Sequence, residues 1–141
     1  MINRIVEAIG VALRATFGDG CEIYTEETGQ GLDRPCFFVQ CLNFSSELMK
    51  EGRFLRRSQF LIRYSPPQNG ERNRECCEAA EQLCDCLECI TADGLMRGTR
   101  MRGEIVGGIL HYYVNYDYFA CRQEETVAMG EMTSDVTAKG G

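Results

Sequence analysis

Cys76, Cys77, Cys84, Cys86 and Cys89 crowd into one short stretch, and they are five of the nine cysteines in this chain of 141 residues. Thiols at that density are a candidate metal or redox site. Structural zinc needs four ligands converging tetrahedrally, and CxxC pairs meet that need from turns. Here the spacing Cys84-x-Cys86-x-x-Cys89 lies in a stretch of helical period. On a continuous helix Cys84 and Cys86 point ~200° apart. Cys86 and Cys89 can meet at i, i+3, but a second pair is missing. A redox CxxC places its first cysteine at a helix N-terminus, where the thiolate is stabilised. Cys86 and Cys89 sit in the C-terminal half, where the dipole opposes activation. The sequence therefore predicts Cys76 and Cys84 as small core hydrophobes, with Cys86 and Cys89 bordering the packed face. All nine thiols are expected to be reduced and metal-free, with no cofactor. A cysteine-cluster metal-binding or protein-interaction module stands as the alternative class.

Other chemistry has thinner support. His111 is the only imidazole, it falls in a strand pattern, and no nucleophile elbow or Cys–His pairing accompanies it. Among the carboxylates, Glu78, Glu81, Asp85 and Glu88 recur at helical spacing opposite the Cys/Leu stripe. They read as a solvated acidic face or a surface for an Arg-bearing neighbour. Glu22, Glu26, Glu27 and Glu75 complete no carboxylate pair across a cleft. The glycines are turn or bulge glycines, without a phosphate-binding motif. No catalytic residue is assigned, and no enzymatic activity is expected.

The net charge of -6 and a pI near 4.9 disfavour binding to a phosphate backbone. No sequence-specific nucleic acid is expected, and the aromatic run HYYVNYDYF lacks interleaved lysines, so it reads as a packed strand. The basic residues are mostly arginines, gathered at Arg53, Arg56, Arg57, Arg63 and again at Arg97, Arg100, Arg102. Arginine suits bidentate contact with carboxylates and is enriched at protein interfaces. No run of apolar residues is long enough for a membrane-spanning helix. The N-terminal MINRIVEAIGVALRATF reads as an amphipathic helix, since Arg4 and Glu7 interrupt any signal-peptide core. A reducing cytoplasm is the expected compartment.

The positioning elements follow from period. Ile2, Ile5, Val6, Ile9, Leu13 and Phe17 predict a helix over 2–17, stopped by Gly18-Asp19-Gly20. A short strand follows over 21–25, then a loop to Pro35, a central strand over 36–44 and a polar connector over 45–52. The next strand, 54–64, sets Phe54, Phe60, Ile62 and Tyr64 against Arg57, Gln59, Leu61 and Arg63. The turn at Pro66–Gly70 precedes a second helix that begins between Asn69 and Asn73. It runs to about Thr91, with Cys76, Ala80, Leu83, Cys84, Leu87 and Ile90 on its core stripe. A hairpin of 99–106 and 109–121 turns at Gly107-Gly108. The predicted fold is α+β, two helices packed on one face of a mostly antiparallel sheet, in the order α-β-β-β-α-β-β. Residues 1–121 form the domain and 122–141 a flexible acidic C-terminal tail.

Several runs resemble phage and prophage tail terminator proteins of the type found in Firmicutes prophages. They are IYTEE at 23–27, QGLDRPCFFVQCLN at 30–43, NGERNREC at 69–76, EQLCDCLECIT at 81–91 and LHYYVNYDYF at 110–119. The resemblance implies a small α+β domain that forms a ring, commonly a hexamer, at the head-proximal end of a tail tube. It further implies an end to tube polymerisation and a docking face for the head connector. The expected partners are further copies of the chain, the tail tube protein and a head-completion or connector protein, with no membrane. Assembly is expected in the host bacterial cytoplasm and the product in the virion tail. The connector after Phe44 reads as an exposed hairpin tip. Leu48, Met49, Arg53, Arg56 and Arg57 are its candidate oligomer or tube interface, because apolar and cationic groups adjoin there.

Overall fold

The structure, a computed structural model, describes residues 1–26, 35–67 and 70–121. The expected C-terminal tail and most of the loop before Pro35 lie outside the described residues. Helix α1 spans Ile2–Phe17 and buries Ile5, Ala8, Ile9 and Leu13, the stripe a 3.6-residue period dictates. Gly18 ends it with a left-handed φ of 77°, and its N–H donates to the Arg14 carbonyl. Strand β1, Glu22–Tyr24, pairs parallel with β2, Cys36–Leu48. The turn Met49–Gly52 leads into β3, Arg53–Ser65. Helix α2, Arg72–Cys86, is followed by β4 (Cys89–Thr91), β5 (Leu95–Val106) and β6 (Ile109–Cys121). The strands form one sheet in the order β1-β2-β3-β6-β5-β4. β5 is antiparallel to both β4 and β6, and β2 and β3 are joined too tightly for a parallel crossover.

Two features correct the sequence reading. The element order contains a further strand, β4, because α2 stops at Cys86 rather than near Thr91. The reason is tertiary. Tyr116 Oη donates to the Leu87 carbonyl at 2.6 Å, and the Gly98 N–H donates to the Glu88 carbonyl at 2.7 Å. Both contacts take acceptors from the end of the helix and pull the chain onto β5. Leu87 and Ile90 are buried as expected, but Leu87 caps α2 and Ile90 lies in β4. The core position on α2 is also Ala79 rather than Ala80, and Cys84 is exposed rather than core. The second correction is that half of the expected connector is strand: β2 continues to Leu48, and only Met49–Gly52 separate it from β3.

The chain divides into two compact units. The larger comprises Met1–Ser45 and Arg57–Asp117. Its core joins Ile5, Ile9 and Leu13 of α1 to Phe37, Val39, Phe60, Ile62, Leu83, Leu110, Tyr112, Val114 and Tyr116. Phe17, Phe37 and Tyr64 form an aromatic chain with centroid separations of 4.8 and 4.9 Å. Among the described residues the smaller unit comprises Ser46–Arg56 and Tyr118–Cys121.

Candidate interaction surfaces

Leu48 ends β2 and Met49 follows it; they are 60% and 42% exposed. The turn between the strands uses two left-handed residues, Glu51 at φ 62° and Gly52 at φ 72°. The Met49 N–H donates to the Arg53 carbonyl at 2.6 Å and closes it. Arg53 lies with its guanidinium 4.2 Å from the centre of the Phe119 ring, and Phe119 is itself 53% exposed. Arg56 donates to Ser46 Oγ at 3.4 Å and reaches 6.0 Å from the Phe54 ring centre. Four of the residues expected at an interface, Leu48, Met49, Arg53 and Arg56, therefore share the smaller unit. Arg57 belongs to the larger one and is exposed there. Phe119 was missed from sequence; an aromatic near the end of an alternating strand carries no mark of its exposure.

The larger unit carries a second kind of surface. Leu110, Tyr112, Val114 and Tyr116 of β6 point into the core, so His111, Tyr113, Asn115 and Asp117 point to the other face. On β3, Ser58, Phe60, Ile62 and Tyr64 are buried, and Ser58 Oγ donates to the Tyr116 carbonyl at 2.7 Å. Arg57, Gln59, Leu61 and Arg63 alternate with them. On that outward face a cavity of about 420 Å³ is lined by Thr25, Glu26, Phe38, Gln40, Leu61, Arg63 and His111, with Val39. Arg63 lies 4.9 Å from the Phe38 ring centre, and Phe38 stacks on Tyr24 at 5.3 Å. His111 Nδ1 is 3.3 Å from the Ile109 carbonyl. Among the described residues its lining places no nucleophile beside a base.

The cysteines are spread over several elements. Cys76 is fully buried and its thiol meets the Gly108 carbonyl at 3.5 Å. Cys84 accepts a hydrogen bond from Tyr112 Oη at 3.1 Å, at the edge of the core. Cys89 is exposed on β4. Among the described residues no three His, Cys, Asp or Glu side chains are placed to hold one metal ion. Burial raises the thiol pKa of Cys21, Cys36, Cys41, Cys76 and Cys86 above the ordinary value. Burial also pushes the Tyr64 hydroxyl up to about 12 and raises Tyr112 and Tyr116 further. These shifts make the groups less ionised than their free counterparts. Among the described residues no helix is long and apolar enough to cross a membrane.

No curated protein matches the chain. Among solved structures, one similar chain comes from a cryo-EM structure of the sheath/tube terminator of an extracellular contractile injection system, PVC, in the extended state. The identity is 15% and the TM-score 0.49, over 99% of this chain and 64% of that one, so the chain spans under two thirds of that neighbour's length. A sequence profile described as phage tail terminator protein matches residues 4–128. With nearly all of the described fold inside that match, the chain belongs to the phage tail terminator family and is a structural protein of the virion tail.

Proposed function

We propose that this protein caps the head-proximal end of a tail tube as a closed ring, hexameric when assembled, that ends tube polymerisation and offers a docking face to the head connector. Its partners are other copies of itself, the tail tube protein and a head-completion protein. Assembly takes place in the host cytoplasm. The outward side chains of β3 and β6 and the hairpin tip are left for contacts. The observation that carries the reading, beyond family membership, is the tip. Leu48, Met49 and Phe119 expose apolar area with Arg53 held over the Phe119 ring. Exposed apolar groups beside cations mark protein contact sites. A capping ring must bind a tube end, and an exposed paired tip is suited to it. Purified tail tubes mixed with the protein test this. Growth should stop and a ring should appear at tube ends by electron microscopy. Continued growth at the same rate, with no terminal ring, refutes the proposal.

A further inference from the structure

The outer strands of the sheet are covered over only part of their length. β1 pairs with β2 at Cys36, Phe37 and Phe38 alone. β4 pairs with β5 at Leu95, Met96 and Arg97, and the Gly98 N–H bonds the Glu88 carbonyl. Among the described residues no strand or backbone hydrogen bond reaches the outer edge of 39–45 in β2 or of 102–106 in β5. The covered and open parts of β5 meet at a β-bulge. Thr99 pairs with Asn115 and Arg102 with Tyr113, and Arg100 between them adopts a left-handed φ of 51°. Val106 and Ile109 flank the two-residue turn, so they form a hydrogen-bonded pair, and Glu104 with His111 forms the next. Gly103 and Ile105 fall between these pairs and turn their N–H and C=O groups to the open side.

The β2 edge lacks the usual protection. Residues 39–45 contain no charge, proline or glycine, and Leu42 and Phe44 are exposed, Phe44 by 70%. On the β5 edge Ile105 and Val106 are exposed as well, Val106 by 57%. An open, uncharged edge is a template for another strand, and proteins that stay monomeric blunt it.

The two open stretches lie at diagonal corners of the larger unit. Ser58 bonds Tyr116, while Arg63 lines one cavity with Phe38 and His111. β3 and β6 are therefore antiparallel, and Phe38 is level with His111. His111 pairs with Glu104, and Tyr116 with Gly98. The covered end of β2 is thus level with the open end of β5, and the open end of β2 with the covered end of β5. Three antiparallel steps separate β2 from β5, so these strands run in opposite directions.

We infer that the subunit contact of the ring is a strand pairing, 39–45 of β2 in one copy against 102–106 of β5 in the next. This rests on the ring reading above and names the surface that closes it, leaving the hairpin tip for the tube. Strands that run along a ring axis keep their sense in every copy, so β2 meets the next β5 antiparallel and the sheet continues around the ring. The diagonal offset displaces each copy along the strands, and such a stagger is what closing a sheet into a barrel requires. Two different edges on one chain make a heterologous contact, which closes when its rotation fits. Pairing β2 with a second β2 would instead give a dimer and leave β5 open. The contact satisfies the open groups of Gly103 and Ile105 and gives Leu42 and Phe44 a neighbouring strand.

Hydrogen exchange read by mass spectrometry tests this on the full chain, free and bound to purified tail tubes. In rings, amides of 39–45 and of 102–106 should both exchange about tenfold more slowly or better, with those of α2 unchanged. Two variants probe the same edges. Ile105→Pro removes a donor that faces the open side, and Leu42→Lys with Phe44→Lys puts charge on β2. Circular dichroism and thermal unfolding check that they fold. Each should form about tenfold fewer rings at tube ends by electron microscopy. Slowing in neither stretch, or in one alone, overturns the pairing while the ring reading survives. Slowing on β2 alone would mean that another protein's strand, or a second β2, sits there. Protection of either stretch already in the free chain, or folded variants that form rings as the parent does, overturns it too. If the parent forms no ring on tubes, both readings fall.

Discussion

The larger unit and the hairpin tip are built from the same strands but use them differently. Within the larger unit, alternate residues of β3 and β6 are buried, from Ser58 to Tyr64 and from Leu110 to Tyr116. Beyond it the strands stay paired while their side chains leave the core. From Ser46 to Arg56 no residue is buried, and Tyr118–Cys121 are half-buried or exposed. Backbone pairing alone is a weak source of stability, and a bare hairpin is marginal in water. A tip that keeps its strand form while exposing Leu48, Met49 and Phe119 is therefore better explained by what it contacts than by what it contributes to folding. Stability and capping should separate along this boundary.

The largest stability effect belongs in the larger unit. Phe37→Ala removes a ring packed between Phe17 and Tyr64, and it should cost about 3–5 kcal/mol by denaturant unfolding. Gly98→Ala comes next. A Cβ there would sit 2.6 Å from the Leu87 carbonyl oxygen, a backbone atom that cannot swing away. Overpacking of this kind costs about 1–3 kcal/mol. An unchanged unfolding midpoint would mean that β4 is not held against the end of α2 as described. Tyr116→Phe orphans the buried Leu87 carbonyl and should cost about 1–3 kcal/mol, again without touching the tip.

The pH response sharpens the same contrast. Tyr64 is raised to about 12 from an ordinary value of 10.0, with Tyr112 and Tyr116 raised as well. In the unfolded chain these hydroxyls ionise first, so the unfolded state binds fewer protons above its own pKa. Stability from the tyrosines is therefore complete below pH 10.0 and falls as pH rises toward about 12. The buried thiols behave alike, from their ordinary 9.0 upward. Unfolding midpoints measured from neutral pH into alkali should decline above that point. A flat profile would show that these groups are solvated.

How much of this was legible in the sequence follows the same divide. Helix α1 and the Gly107-Gly108 hairpin were readable because burial imprints a period on the residues. Strand β4 was not, because Leu87 and Ile90 continue the spacing of α2 and only tertiary contacts to Tyr116 and Gly98 end the helix. The strand character of Ser46–Leu48 was hidden because exposed positions carry no alternation. The bulge at Arg100 left no signal, since a left-handed arginine looks like any other. The arginines and the apolar pair at Leu48 and Met49 stood out by type alone. The cavity around Arg63 and His111 did not, as it is assembled from distant strands.

The smallest stability effect carries the most direct test. Leu48→Ser with Met49→Ser, both exposed, should shift unfolding by no more than about 0.5 kcal/mol. Growing tail tubes, with the parent or this variant added, decide the matter by microscopy of their ends. The account predicts that the parent arrests growth under a terminal ring while the equally stable variant leaves tubes elongating and uncapped. Tubes capped equally well by both would contradict the claim that this tip is the capping surface.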